Sequence, residues 1–191
     1  MNIVILDSVS ANPGDLSWDF LKKYGELKVY DRSLTEDLVI ERAKDAEIIV
    51  LNKTVITRRA VENLPKLKLI AVLATGYNVI DCAACSEHGV LVANVPSYSG
   101  FAVALQTFAL ILEYTNRVAL HTDSVLSGGW VNSPDFSYFV SPLYELKGKT
   151  MGIIGYGNIG RKVAEIAKVF EMQVLVNTAH PEKYPGAPVR F

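Results

Sequence analysis

The chain has 191 residues, 50% of them hydrophobic and 20% charged, with a mean hydropathy of +0.21, which is too apolar for a disordered segment and ample for a buried core. Its 19 Lys and Arg against 20 Asp and Glu leave a net charge of -1, so bulk electrostatics draws it neither to nucleic acid nor to an anionic membrane. No apolar run approaches the roughly 18 residues that span a bilayer, and the opening M-N-I-V-I-L-D has no basic segment ahead of it, so a cytoplasmic protein without a signal peptide is expected.

Residues 2–6 form a short β-branched run, residues 16–24 have helical periodicity, and residues 27–30 form a second short strand. The alternation continues with a helix over 35–43, a strand over 47–51, a helix over 58–64, a strand over 67–73, a helix over 81–88 and a strand over 90–95. Runs such as I-I-V-L and L-I-A-V-L are apolar at successive positions, as strands covered on both faces must be. This predicts a five-stranded parallel sheet with helices on both sides.

Residues 101–114, F-A-V-A-L-Q-T-F-A-L-I-L-E-Y, are apolar around nearly the whole helical circumference, unlike a solvated surface helix. Such a helix belongs between a sheet and another domain or subunit. From 126 to 146 the text turns to Gly, Ser, Pro, Trp and Tyr with little periodicity, which predicts an extended arm or long loop. A second α/β unit follows, with a strand over 150–154, a glycine motif over 155–160, a helix over 161–170 and a strand over 173–176. Residues 180–191 read as irregular, and the strand at 173–176 is expected to show an unpaired edge.

The motif G-Y-G-N-I-G lies directly between a predicted strand and helix, the context that dinucleotide binding requires. Gly155 permits the tight turn, Gly157 lets a pyrophosphate approach the backbone, and Gly160 allows close packing of helix on strand. Asn158 and Ile159 complete the loop, and the helix N-terminus offers N–H groups to the phosphates. A carboxylate for the adenosine ribose is expected about 20 residues further on. None is there: the strand runs into Asn177, Thr178 and Ala179, and the first acid is Glu182. Without that acid nothing repels a 2′-phosphate, and His180 and Lys183 are close enough in sequence to assist, so NAD and NADP are both expected cofactors.

Several separated stretches resemble the D-isomer-specific 2-hydroxyacid dehydrogenases, within them the glycerate dehydrogenase or hydroxypyruvate reductase group. They are Asn52-Lys53, A-T-G-Y-N-V-I-D from Ala74, N-V-P-S-Y-S from Asn94, T-F-A-L-I-L from Thr107, G-G-W from Gly128, and E-L-K-G-K-T-M-G-I-I-G-Y-G-N-I-G from Glu145. The resemblance implies an α/β fold: a flavodoxin-like substrate domain over 1–99, then the start of a Rossmann NAD(P)-binding domain over 100–191, truncated, with a dimerisation helix and arm. It further implies that backbone N–H groups near Thr75 and Gly76 bind the substrate carboxylate, that Lys53 lines the same cleft, and that Thr107, the loop residues and Thr178 hold the cofactor. A homodimer acting on 2-keto and 2-hydroxy acids is the implied assembly.

The chain departs from the family pattern in two places. Where the family has T-D before the long helix, this chain has Gly100 and Phe101, with Leu105 in place of a polar residue. The family's catalytic histidine, its carboxylate partner and its substrate-binding arginine belong to positions beyond Phe191, and neither His88, His121 nor His180 matches the acid/base histidine. The expectation is an oxidoreductase portion that is inactive alone, the complete form reducing hydroxypyruvate, glyoxylate or a similar acid. The alternatives are a non-catalytic dimeric nucleotide-binding or interaction protein and a thiol redox protein built on Cys82 and Cys85, which also read as small core cysteines. No metal site is expected, since two cysteines three apart lack the further ligands zinc needs.

Overall fold

Short polar side chains start three helices of the first half. Thr35 Oγ1 accepts from Leu38 N, Thr57 Oγ1 from Ala60 N, and an Asp81 carboxylate oxygen from Ala84 N. In the computed structural model, which describes residues 1–191, the chain divides into two compact units, Met1–Tyr98 and Ser99–Phe191.

The first unit runs β1 (Asn2–Ile5), β2 (Glu26–Val29), α1 (Glu36–Ala43), β3 (Ile48–Leu51), α2 (Arg58–Glu62), β4 (Leu69–Val72), α3 (Cys82–Glu87) and β5 (Leu91–Ala93). All five strands are parallel in the order β2-β1-β3-β4-β5, with Ile3 opposite Leu27 and Ile48, and Ile49 opposite Ile70. This is the flavodoxin-like order, in which the chain turns back between β1 and β3. Leu6, Ile49, Leu51 and Ile70 are fully buried against Val39 and Ala43 of α1, Ala60 and Val61 of α2, and Ala84 and Cys85 of α3.

Two expectations need correction here. The three helices cover one face, and on the other Trp18 and Leu21, not α-helices, pack over Ile3, Ile5 and Val50 with Leu27 of β2 beside them. Residues 16–24 do not form an α-helix: a six-residue 3-10 helix spans Asp19–Tyr24. The cause lies upstream, where Asn12 holds a turn through Pro13 and Gly14, its Oδ1 accepting from Gly14 N and Leu16 N while its Nδ2 donates to the Leu16 carbonyl.

The second unit contains α4 (Gly100–Asn116), α5 (Val118–Leu126), β6 (Thr150–Ile154), α6 (Asn158–Val169) and β7 (Gln173–Asn177). β6 and β7 pair in parallel, Met151 opposite Val174 and Ile153 opposite Val176. α4 packs on α6 through Ala104 and Phe108, the Phe108 ring stacking on Phe170 at 5.3 Å. α5 has no counterpart among the predicted elements; it is separated from α4 only by Arg117, whose φ is 50°. Residues 127–149 lack α-helix and strand, as the arm reading expected.

The terminal residues are more ordered than expected. After a 3-10 turn at Pro181–Lys183, Arg190 bridges Leu175 in parallel, Arg190 N donating to the Val174 carbonyl and Val176 N to the Arg190 carbonyl. The β7 edge is therefore engaged, contrary to the reading of 173–176 as unpaired. Tyr184 and Phe191 meet the Tyr156 ring edge-on at 5.0 and 5.6 Å, closing this end of the unit.

Candidate functional site

In the second unit, the turn out of β6 is made by Gly155, with φ +92°, and its N–H donates to the Asn177 carbonyl at 2.8 Å, tying the loop to the end of β7. α6 begins at Asn158, three residues before the predicted start at 161, so Asn158, Ile159 and Gly160 form its first turn. Gly157 occupies the N-cap without a side-chain cap bond, and a Cβ there would meet nothing within 4 Å. A Cβ on Gly160 would lie 2.1 Å from the Gly155 carbonyl oxygen.

The three glycines therefore differ in kind. Gly155 answers to backbone conformation and Gly160 to close packing, whereas Gly157 borders open space at a helix N-terminus. Thr107 of α4 lines the same open cavity of about 570 Å³ as Gly155, Gly157, Asn158, Ile159 and Gly160, with Ile153 and Val163 as apolar walls. Its hydroxyl donates to the Val103 carbonyl at 2.8 Å. This is the arrangement a dinucleotide's pyrophosphate fits: an uncapped first turn of a twelve-residue helix, with space in front of the middle glycine.

Thr178 is not among the residues lining that cavity, though it directly follows Asn177, whose carbonyl holds the loop. His180 places Nδ1 at 3.1 Å from a Glu182 carboxylate oxygen, with both side chains exposed to solvent.

In the first unit, Lys53 and the pair Thr75 and Gly76 follow the C-terminal ends of β3 and β4, which are neighbours in a parallel sheet and so open on one edge. Lys53 is exposed between buried Asn52 and Thr54, and lines a groove of about 280 Å³ with Arg32, Thr35 and Asp7. Thr75 and Gly76 are exposed and lie outside that groove's lining. Their loop is clamped to the strand end beside it: Thr75 Oγ1 donates to the Val95 carbonyl and Asn94 Nδ2 donates to the Thr75 carbonyl. The Thr75 and Gly76 N–H groups make no hydrogen bond within the chain. Gly76 has no positive φ, and a Cβ there would make only an ordinary contact with Asn78 Oδ1 at 3.5 Å. The turn itself does not demand glycine.

Sequence reasoning missed Asp7. It lies two residues past β1, is 6% exposed, and accepts the N–H groups of Asn52, Lys53 and Thr54. The one signal was an acid ending an otherwise apolar strand.

Cys82 is exposed and Cys85 buried, both as free thiols. Burial, then the neighbouring Cys82 and Asp81, push the Cys85 thiol pKa up, the opposite of what a reactive thiolate needs. His88 and His121 each place Nδ1 at 2.9 Å from a carbonyl one turn back, Ala84 and Arg117 respectively. No cluster of three or more His, Cys, Asp or Glu side chains is placed to hold a metal ion, and no helix is long and apolar enough to cross a membrane.

A flavodoxin-like sheet followed by a strand, glycine loop and helix of Rossmann type defines an α/β protein with a loop of the dinucleotide-binding kind. The chain belongs to the D-isomer specific 2-hydroxyacid dehydrogenase family, whose catalytic-domain model matches residues 3–173. It is 44% identical over 182 residues to a hydroxypyruvate reductase of Blautia hydrogenotrophica, covering 94% of this chain and 56% of that protein. It is 34% identical over 180 residues to a glycerate dehydrogenase of Methylorubrum extorquens, again covering 94% and 56%. Among solved structures, an acyclic imino acid reductase, Bsp5, in complex with NADPH and D-Arg superposes with a TM-score of 0.75 at 29% identity, covering 100% of this chain and 59% of that one. The chain thus spans a little over half the length of the curated relatives it matches.

Proposed function

We propose that residues 1–99 supply the substrate-carboxylate loops, and residues 100–191 the dinucleotide loop, of an NAD(P)-dependent 2-hydroxyacid dehydrogenase. The substrate class is a 2-keto acid such as hydroxypyruvate or glyoxylate, reduced to its D-2-hydroxy acid. The observation that carries the reading is Gly157, whose missing side chain leaves open space where a pyrophosphate would meet the first turn of α6. The names of the hydroxypyruvate reductase and glycerate dehydrogenase relatives support the substrate class, and the NADPH complex of the imino acid reductase supports the cofactor class.

A bound nicotinamide supplies the hydride. The chain's own residues do the binding: the Thr75 and Gly76 N–H groups receive the substrate carboxylate, Lys53 provides the opposite charge, and Thr107 with Gly155, Gly157, Asn158, Ile159 and Gly160 holds the phosphates. Thr178 is assigned to the adenosine ribose, and the absence of an acid between Asn177 and His180 leaves the 2′ position open to NAD or NADP.

No histidine here is assigned the proton-donor role, because neither His88, His121 nor His180 matches the family's acid/base histidine in sequence context. General acid catalysis contributes about a hundredfold to ten-thousandfold, so this chain by itself is proposed not to turn over. The exposed free Cys82 suits a reducing compartment, and the cytoplasm is proposed as the location.

Amide shifts in the 191-residue chain test the reading. Hydroxypyruvate is expected to move Lys53, Thr75 and Gly76, and NADH or NADPH to move Thr107, Thr178 and the loop from Gly155 to Gly160. Dinucleotide leaving that loop unmoved would sink the proposal. Steady-state turnover near one per second would overturn the assignment of the proton donor elsewhere.

A further inference from the structure

We propose that Asp7 is a positioning residue: its carboxylate shapes the loop that presents Lys53, and so sets how the substrate carboxylate is received. The inference rests on the reading of Lys53 as a substrate contact.

Asp7 Oδ1 accepts from Asn52 N at 2.9 Å, and Oδ2 accepts from Lys53 N at 2.6 Å and Thr54 N at 2.8 Å. Three successive N–H groups converging on one anion is the geometry of a backbone nest, not of a strand or helix end. Asn52 adds a side-chain bond from Nδ2 to the Ser10 carbonyl at 2.6 Å, on the same stretch that follows Asp7. Asn52 and Thr54 are thereby held inward, and Lys53 between them projects outward.

The sheet does not need this carboxylate. The β1 and β3 ladder closes through backbone atoms alone, with Leu6 N, one residue past β1, donating to the carbonyl of Val50 inside β3 at 3.1 Å. Burying an anion is costly unless charge-assisted bonds offset it, and an aliphatic side chain at position 7 would seal the end of β1 without that demand. What an aliphatic residue cannot do is orient three amides of the neighbouring strand's exit loop. The groove that Lys53 lines is bordered by Asp7 as well, so the same carboxylate fixes both the loop and one wall beside it.

The test uses Asp7→Asn in the 191-residue chain, a near-isosteric change that replaces one acceptor oxygen by a group unable to accept. Amide hydrogen exchange is read first. Protection at Asn52, Lys53 and Thr54 is expected to fall at least tenfold while Ile5 and Val50 keep theirs. A uniform loss across the first unit would overturn the proposal, because the carboxylate would then be a general stabiliser.

Hydroxypyruvate titration is read second. Asp7→Asn and Lys53→Ala are each expected to weaken binding at least tenfold, and the double variant to bind no worse than Lys53→Ala alone. Unchanged binding in Lys53→Ala overturns the reading of Lys53; weakened binding there with unchanged binding in Asp7→Asn overturns only the role of Asp7. Should Asp7→Asn unfold the unit, the unsubstituted chain still decides. Its Lys53 and Thr54 amides must exchange as slowly as Val50, and exchange at the rate of an open loop overturns the inference.

Discussion

Gly160 stands so close to the Gly155 carbonyl that a Cβ would fall 2.1 Å from its oxygen, whereas a Cβ on Gly157, three residues earlier, would touch nothing. Alanine at these two positions should therefore have separable effects. Gly160→Ala forces backbone apart, at a cost in the range of about 1–3 kcal/mol typical of overpacking, and should lower the melting temperature of the second unit. Gly157→Ala should melt with the parent chain yet lose NADH and NADPH binding at least tenfold. Thermal unfolding by circular dichroism and a dinucleotide titration check both, and equal binding by Gly157→Ala and the parent would show that the open space is not a phosphate site.

Much of this arrangement was legible because it rests on short-range rules. Successive apolar positions in I-I-V-L and L-I-A-V-L mark strands covered on both faces, and a glycine motif between a strand and a helix leaves few other readings. What stayed hidden depends on long-range partners or on residues that break local habit. Asp7 reads as an acid ending a strand, since the three amides it holds are 45 to 47 residues away. α5 is invisible because the turn before it uses a left-handed Arg117 instead of glycine or proline. The start of α6 was placed late because Asn158 and Gly160 carry the motif and the first helical turn at once. Arg190 joins β7 through backbone atoms alone, which the three prolines among residues 180–191 conceal.

Acid should weaken the first unit through its surface ion pairs. A hydrogen bond from Thr57, then Arg59, holds the Glu36 carboxyl below its ordinary value; Lys66 does so for Asp45, Lys68 for Glu47 and Arg58 for Glu87. A carboxylate whose folded pKa is depressed contributes stability above its unfolded pKa and loses it as pH falls through the folded one. Unfolding midpoints in urea should thus be flat near neutrality and fall from the ordinary carboxylate range downward. Glu87→Gln should shallow that slope, and high salt should shallow it further, since Asp45 and Glu87 are exposed and Glu36 and Glu47 only partly covered. A midpoint that rises on acidification would contradict the pairing.

The long apolar helix uses only part of its surface. Ala104 and Phe108 of α4 are buried against α6, but Phe101, Leu105, Leu110 and Tyr114 remain exposed, as do Leu126 of α5 and Trp130, Val131, Phe136 and Phe139 of the arm. Exposed apolar surface on this scale marks an interaction face, and a homodimer is the expected occupant. Sedimentation at tens of micromolar should give twice the chain mass, and Leu105→Glu with Leu110→Glu should give a monomer of unchanged fold. A monomeric parent chain would refute the expectation.

The second unit should open before the first, for reasons visible in its sheet. β6 has β7 as its sole strand partner, and although Arg190 engages the far side of β7, the face away from α6 shows Ile154, 93% exposed, and Leu175. The first unit, by contrast, keeps β4 between β3 and β5 with Ile70 and Val72 fully buried. Amides with few buried neighbours and one bonded flank open by local fluctuation, whereas those in a sheet interior exchange near the global limit. The amides of Met151 to Ile154 are therefore expected to exchange at least tenfold faster than those of Leu69 to Val72. The aromatic closure should matter as well: Tyr184→Ala removes one of two rings packed on Tyr156, inside the glycine motif, and should speed exchange at Gly155 while leaving β4 unchanged. Equal protection of β6 and β4 in the free chain would mean that the exposed face of the second unit is covered by something other than its own residues.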